Sequence, residues 1–584
     1  MNADVLNGFR LGGDRARVLL HALAVGLLAG STAVGLRYLA EVLPAVVWPR
    51  AEDLVAAVSL APPALKITLP TAGALLAGVI LSLGTRWSGA SQGWDILEAV
   101  LLRNGRLPLR AGLVKSASSL VTQASAGAVG REGPIVLLAA TVASKYGQQL
   151  RVSTPHLRIL AGCGIAAGLA CAYNAPLGAA LFALEIVFGS LALEVFAPLA
   201  VASGTATMLA WAAFGNVPAF ALPSLRMTSA WDIVAFALLG VLGALVAALL
   251  LAALRASAAV YRRLNLARPV AMATAGLLLG VAVLWYPELV GNGRSAIAAL
   301  FERPWDLGHV LVLLALRLVV TPLAVGSGTV GGVFTPTLFL GAMLGQAFGA
   351  SIRAVAPGAG LDPAACALVG MSTVLAGTTH APLTSAVMVF EMTLDYHAIV
   401  PLLVGSAIAS QVAALLTKES VYTEALRRKA LAARAATSPA EPMLVGDIVR
   451  QDQVTVSADL PLRSLLDTFM QARRNHVYLT DRDGRFLGAV NFHEAVGALQ
   501  SAGATGTTVA QDLAHPGFPV VLAGERLADV VDRFDAIAAE RLPVLENGDS
   551  RTLVGTVSKR DILAAYSIRM LASQSEAGPS PPAA

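Results

Sequence analysis

Residues Gly130-Arg131-Glu132-Gly133-Pro134 set a charged pair between glycines inside a stretch, Gly112 to Ala143, that otherwise reads as membrane interior. Estimates for a carboxylate at that depth run from a few kcal/mol upward, which makes such a residue a functional candidate by default. Glycines let the backbone turn and approach a ligand closely. Pro134 suits the first turn of the helix that continues through Ile135-Val136-Leu137-Leu138, so Glu132 is expected at a helix N-terminus, where a bound anion would also sit. The chemistry this points to is competition between a tethered carboxylate and a mobile anion.

A second element has the same form. Gly332-Val333-Phe334-Thr335-Pro336 also precedes a helix. Two such helix ends meeting at one point would present backbone N–H groups, neutral donors that select an anion without trapping it as a fixed Lys or Arg would. The two elements belong to an internal repeat: Gly127-Ala128-Val129-Gly130 and Pro134 correspond to Gly328-Thr329-Val330-Gly331 and Pro336. Ala175-Pro176-Leu177 with Glu185 likewise corresponds to Ala381-Pro382-Leu383 with Glu391, each carboxylate nine residues after its proline. Paired Gly/Pro-interrupted apolar segments in two halves point to a transporter-type site at the repeat interface.

The elements that position these residues are membrane helices. Of 584 residues, 56% are hydrophobic and 14% charged, and the mean hydropathy is +0.68. These values lie outside the range of soluble globular chains. Apolar stretches recur from Val18 to about Leu416, many broken by Gly or Pro and shorter than a straight span needs, so tilted and re-entrant helices are expected. The formal charge of +5 is positional: Arg10, Arg15 and Arg17; Arg103, Arg106 and Arg110; Arg255, Arg262, Arg263 and Arg268; and Arg427, Arg428 and Lys429 flank apolar runs. By the positive-inside rule all four clusters are cytoplasmic, which argues against nucleic-acid binding. The three cysteines, Cys163, Cys171 and Cys366, lie in apolar runs with no CxxC or His pairing, so no disulfide or metal framework follows. Nothing at the N-terminus resembles a cleaved signal, and the first helix is expected to remain.

Beyond an Ala-, Ser- and Pro-rich linker the chain reads as soluble and duplicated. In the first copy Leu462–Ala472 has helical periodicity, His476–Asp481 alternates as a strand, Asp483-Gly484 supplies a turn and Phe486–Val490 a second strand. Leu527–Ala538, Leu542–Leu545, Asn547-Gly548 and Leu553–Val557 repeat that order, leading into a helix over Ser558–Tyr566.

Taken together, Gly130–Pro134, Gly332–Pro336, Ala381-Pro382-Leu383-Thr384 with Glu391-Met392-Thr393, and Ser420-Val421-Tyr422 resemble the motifs of the CLC chloride channels and transporters, in that family's order and across nearly the whole apolar region. The tail resembles a pair of cystathionine-beta-synthase (CBS) domains. The resemblance implies a polytopic α-helical membrane protein with an inverted internal repeat, plus a soluble α/β CBS pair. It divides the chain into a cytoplasmic segment 1–17, a transmembrane domain 18–429 with repeats at roughly 18–215 and 230–429, a linker 430–442, CBS copies 443–500 and 508–571, and a disordered tail 572–584. It further implies a homodimer with one pathway per subunit, transporting chloride or another small anion, and no enzyme activity. The family's gating glutamate falls on Glu132; its anion-binding positions fall on Ser91, Arg131, Gly133, Val333, Phe334, Thr335 and the hydroxyl of Tyr422.

Two departures qualify that transfer. Where relatives read Gly-Ser-Gly-Ile-Pro, this chain has Ala90-Ser91-Gln92-Gly93-Trp94; Ser91 retains the hydroxyl, with Ser88 as the alternative. The internal glutamate that passes protons in many family exchangers falls on Ile186, with Glu185 beside it as the low-ranked substitute on a proton path. An isoleucine carries no proton, so a passive, channel-like pathway is expected, with a proton-coupled exchanger and a CBS-bearing divalent-cation transporter as the alternatives. No cofactor or metal is expected. In the tail, Ser558 and Asp561 match the ribose-binding stretch of CBS domains, whereas the first copy has Asn491 and Glu494 there. This leaves one adenine-nucleotide site at most, beside the plainer reading of a dimerising module. The expected location is a bacterial inner membrane, with N-terminus and tail cytoplasmic.

Overall fold

The computed structural model describes residues 13–49, 51, 53–88, 96–101, 104–189, 192–220, 231–303, 305–356, 361–424, 443–472, 475–501, 508–536, 541–558, 561–562 and 565. Ser91, Arg427-Arg428-Lys429, the 430–442 linker, the 572–584 tail and most of the 1–17 segment lie outside the described residues. Through Glu424 the described chain forms one compact unit, and from Met443 onward another.

Among the described residues of the first unit, eight helices are long and apolar enough to cross a membrane, from Ala16–Val47 to Tyr396–Leu416. Three shorter apolar helices, Pro176–Phe188, Arg268–Val283 and Pro363–Thr379, accompany them. The helix Gly13–Val47 has 35 residues. At about 1.5 Å per residue it is longer than a bilayer core of about 30 Å, so it has the length to span with tilt or to run beyond the core.

The repeat appears in the backbone itself. The helices Thr154–Tyr173 and Pro363–Thr379 each end on a left-handed residue, Asn174 (φ 59) and His380 (φ 57). Each is followed by an alanine with φ near −127, ψ near 80, and then by the proline that opens the next helix, Pro176–Phe182 or Pro382–Thr393. Asn and the αL conformation end a helix, and Pro begins one, because of what each does to φ and to the amide hydrogen.

Small residues draw these helices into backbone contact. A Cβ on Gly341 would fall 2.2 Å from the carbonyl oxygen of Gly370, and one on Gly345 would fall 1.9 Å from that of Cys366. The helices Phe334–Val355 and Pro363–Thr379 therefore touch along their main chains, the packing that drives helix association in lipid. In the first half, Gly164 and Gly168 bring Thr154–Tyr173 against the main chain of the helix Glu132–Gln149, an added Cβ falling 2.7 Å from Ala139 O and 2.9 Å from Val136 Cα.

The second unit has two three-stranded sheets of identical topology. Strands Thr455–Ser457, His476–Thr480 and Phe486–Asn491 form one; Val521–Leu522, Arg541–Leu545 and Leu553–Ser558 form the other. In each sheet the first pairing is parallel and the second antiparallel. The amphipathic helices Leu462–Ala472 and Leu527–Ala536 bury Leu465 and Phe469, and Leu527 and Val530, against them.

Candidate anion site at two converging helix ends

The two glycine loops meet directly. Gly130 N–H donates to Gly332 O at 2.7 Å and Gly332 N–H to Gly130 O at 2.9 Å, an isolated antiparallel bridge. The antiparallel sense shows that the two loops run past each other in opposite directions. The helices Glu132–Gln149 and Phe334–Val355 start from this junction, so their N-termini converge on it.

Glu132 fills the junction. Its Oε1 accepts from Phe334 N–H at 2.9 Å and Thr335 N–H at 3.3 Å, and its Oε2 accepts from the Thr335 hydroxyl at 3.1 Å. The residue is 4% exposed. A carboxylate starting one helix is thus bound at the N-terminus of the other, where unsatisfied amides and the helix dipole both favour negative charge. The glycines are needed for this approach: a Cβ on Gly332 would lie 2.2 Å from Glu132 Oε1, and one on Gly133 would lie 2.8 Å from Gly332 N.

The other residues of interest divide by location. Val333 caps the Phe334–Val355 helix without a side-chain hydrogen bond. Arg131 turns away from the junction and pairs through Nη1 with Glu41 at 2.9 Å. Tyr422 follows the last membrane helix and packs edge-on against Phe182, with ring centroids 5.5 Å apart. Phe182 in turn lies 6.4 Å from Phe334, joining Tyr422 to the Glu132 junction through aromatic rings. Ser88 ends the Pro63–Ser88 helix and bonds the carbonyl of Thr85 at 3.4 Å.

Sequence reasoning missed Tyr173. Its hydroxyl lies 2.7 Å from Thr335 Oγ1, and its ring 4.9 Å from Phe334. Only its place as the last residue before the αL turn of Asn174 singled it out. It also missed Arg317, fully buried in the Leu307–Gly326 helix, although an arginine in such an apolar run is itself a signal. Arg317 donates to Leu289 O at 2.7 Å and Gly291 O at 2.9 Å, and so fixes the loop ahead of Arg294.

Glu185 and Glu391 have structural partners. Glu185 Oε2 accepts from the amide and hydroxyl of Thr384; Glu391 accepts from the amides of Leu177 and Gly178 at 3.0 and 2.7 Å. Each repeat's glutamate thus caps the other repeat's Ala-Pro-Leu helix. Glu185 and Ile186 lie in a π-helical turn, Ala183–Phe188, a widening no periodicity announced.

In the second unit Ser558 and Asp561 are close but already occupied. Asp561 accepts from Ser558 N–H at 3.0 Å and pairs with Arg450 at 2.7 Å and Arg541 at 3.3 Å. Arg541 also pairs with Asp452 at 2.6 Å.

The model of the voltage gated chloride channel family matches residues 73–414, and that of the CBS domain matches 445–501 and 509–568. The chain belongs to the voltage gated chloride channel (CLC) family. A ClcB-like chloride channel protein of Ralstonia nicotianae is 39% identical over 381 residues, covering 65% of this chain and 89% of that protein. The voltage-gated ClC-type chloride channel ClcB of Escherichia coli is 34% identical over 417 residues, covering 70% of this chain and 98% of its own. Among solved structures, a slow cyanobacterial Cl-/H+ antiporter superposes with TM-score 0.63 at 24% identity, over 72% of this chain and 99% of that one. A eukaryotic CLC transporter gives 0.63 at 20% identity over 94% and 98%. These likenesses establish the fold of a CLC-type membrane protein with a CBS pair.

Proposed function

We propose that this CLC-family anion-transport protein conducts chloride or a similar small anion through the Glu132 junction, with Glu132 as its gate. The observation that carries this reading is the position of the carboxylate: it takes the amides of Phe334 and Thr335, the donors that a dehydrated anion would need. A permeating anion must displace it, and protonation removes its claim on those donors. Val333, Phe334 and Thr335 then hold the anion from one side and Tyr422 and Ser91 donate from the other, while the Arg131–Gly133 turn shapes the outer approach.

Channel-like conduction is favoured over proton coupling by two features. Ile186 stands where a proton-passing glutamate is expected, and its neighbour Glu185 is committed to Thr384. The exchanger reading is supported by structural neighbours described as antiporters, including a CLC-type fluoride/proton antiporter at 21% identity and TM-score 0.60. Purified protein in liposomes separates the two: an opposing chloride gradient that drives protons uphill would sink the channel reading. Anion flux and pH response unchanged in Glu132→Ala would sink the gate. The homodimeric state, the inner-membrane location with N-terminus and tail cytoplasmic, and the absence of any required cofactor belong to the same proposal. Cross-linking of single-cysteine variants in membranes tests the dimer.

A further inference from the structure

A cleft next to the Glu132 junction is lined by Tyr173 and Thr335, the latter bonded to Glu132, and by Arg37, Arg131 and Arg294 with Asn174 and Asn292. Arg37 lies 24 residues into the Gly13–Val47 helix, about 36 Å along it. Arg37, and the cleft with it, therefore lies nearer the C-terminal end of that helix than its first end.

The charges in this wall do not balance. One carboxylate, Glu41, serves both Arg37, at 3.2 Å, and Arg131, at 2.9 Å. Arg37 is further held by the carbonyl of Cys171 at 2.8 Å and by the ring of Phe214 at 4.1 Å. The side chain of Arg294 has no hydrogen-bond acceptor among the described residues, although its own N–H is bound by Asn292 Oδ1 at 3.1 Å. Burial, together with the charges of Arg131 and Arg37, pushes the Arg294 guanidinium down to about 10, so it remains charged at neutral pH. Three guanidiniums against Glu41, with the Glu132 carboxylate next to them on Thr335, leave surplus positive charge in a partly dehydrated recess, an arrangement that is expensive without a further anion and well suited to one. Arg317 makes the recess rigid by pinning the Leu289 and Gly291 carbonyls that precede Asn292 and Arg294.

We infer that Arg37, Arg131 and Arg294 form an anion-binding antechamber, in which a small inorganic anion is held before it competes with Glu132. The inference rests on the anion-transport reading and deepens it. Only one face of the protein carries the antechamber, so its effect is one-sided.

The test varies chloride on one face at a time in planar bilayers containing the full chain. For Arg294→Gln the half-saturating chloride concentration on one face is expected to rise threefold or more, while that on the other stays within error. Arg294→Lys is expected to restore much of the loss, and raised ionic strength to shrink the difference because the attraction is screened. Equal shifts on both faces, or none, in an active protein would overturn the antechamber. A wild type without anion flux would instead overturn the transport reading, and bromide then decides: crystals should show anomalous scattering among the three arginines in wild type and not in Arg294→Gln. Its absence from wild type defeats the inference independently of flux.

Discussion

Glu185 of the first repeat caps the second repeat's helix through Thr384, its Oε2 accepting from the threonine amide at 2.8 Å and hydroxyl at 2.6 Å. Glu391 returns the same contact to Leu177 and Gly178. The two halves are thus latched twice by carboxylates nine residues after each proline. Because the amides at a helix start have no intrahelical partner, each latch satisfies groups otherwise left bare.

Thr384→Val removes one arm of a latch, keeps the side-chain volume and leaves the Glu132 junction untouched. A loss of about 1–2 kcal/mol is expected, the scale of a lost N-cap hydrogen bond. Thermal unfolding in detergent measures it, and the reversal potential for chloride should not move.

Gly332→Ala should act on Glu132 rather than on the fold at large. The new Cβ would fall 2.2 Å from Oε1 and 2.6 Å from the carboxyl carbon, so the side chain must leave the Phe334 and Thr335 amides. Chloride flux is expected to become less dependent on pH, and the effect should vanish in a Glu132→Ala background. Persistence of the effect in that double mutant would show that the glycine acts elsewhere.

Tyr173→Phe deletes the hydroxyl 2.7 Å from Thr335 Oγ1 without changing the ring packing on Phe334. Thr335 bridges that hydroxyl and Glu132, so the deletion loosens the seated carboxylate by about 1 kcal/mol, a neutral hydrogen bond's worth. Flux at neutral pH should rise roughly fivefold by that estimate, read in the liposome assay.

In the tail, Arg541 stands between Asp452 and Asp561. Arg541→Ala leaves two carboxylates facing one another, and the tail's unfolding transition should fall by about 3 kcal/mol, the lower end for a broken buried pair because Asp452 is partly exposed. Because Asp561 is engaged by Arg450, Arg541 and Ser558, adenine nucleotide is expected to leave that transition in the wild-type chain unmoved. A clear upward shift with ATP would show that the ion pairs yield to a ribose.

The membrane class, the repeat, the two glycine loops and Glu132 were legible in the sequence, because each is a matter of local composition and spacing. Hydropathy follows from side chains alone, and glycine and proline fix φ preferences wherever they stand. The doubled strand and helix pattern of the tail was legible for the same reason, although the two- and three-residue strands Val521–Leu522 and Thr455–Ser457 are too short to alternate visibly. What tertiary structure alone decided is pairing across distance. That Glu132 reaches Phe334, 202 positions away, rather than its own helix, that Arg131 turns to Glu41, and that Tyr173 meets Thr335 depend on which helix ends the small-residue interfaces bring together. A sequence states which groups want a partner. Only the packed backbone, with close glycine contacts such as those of Gly332, Gly341 and Gly345, where an added Cβ would fall below 3 Å, determines which partner is near enough to answer.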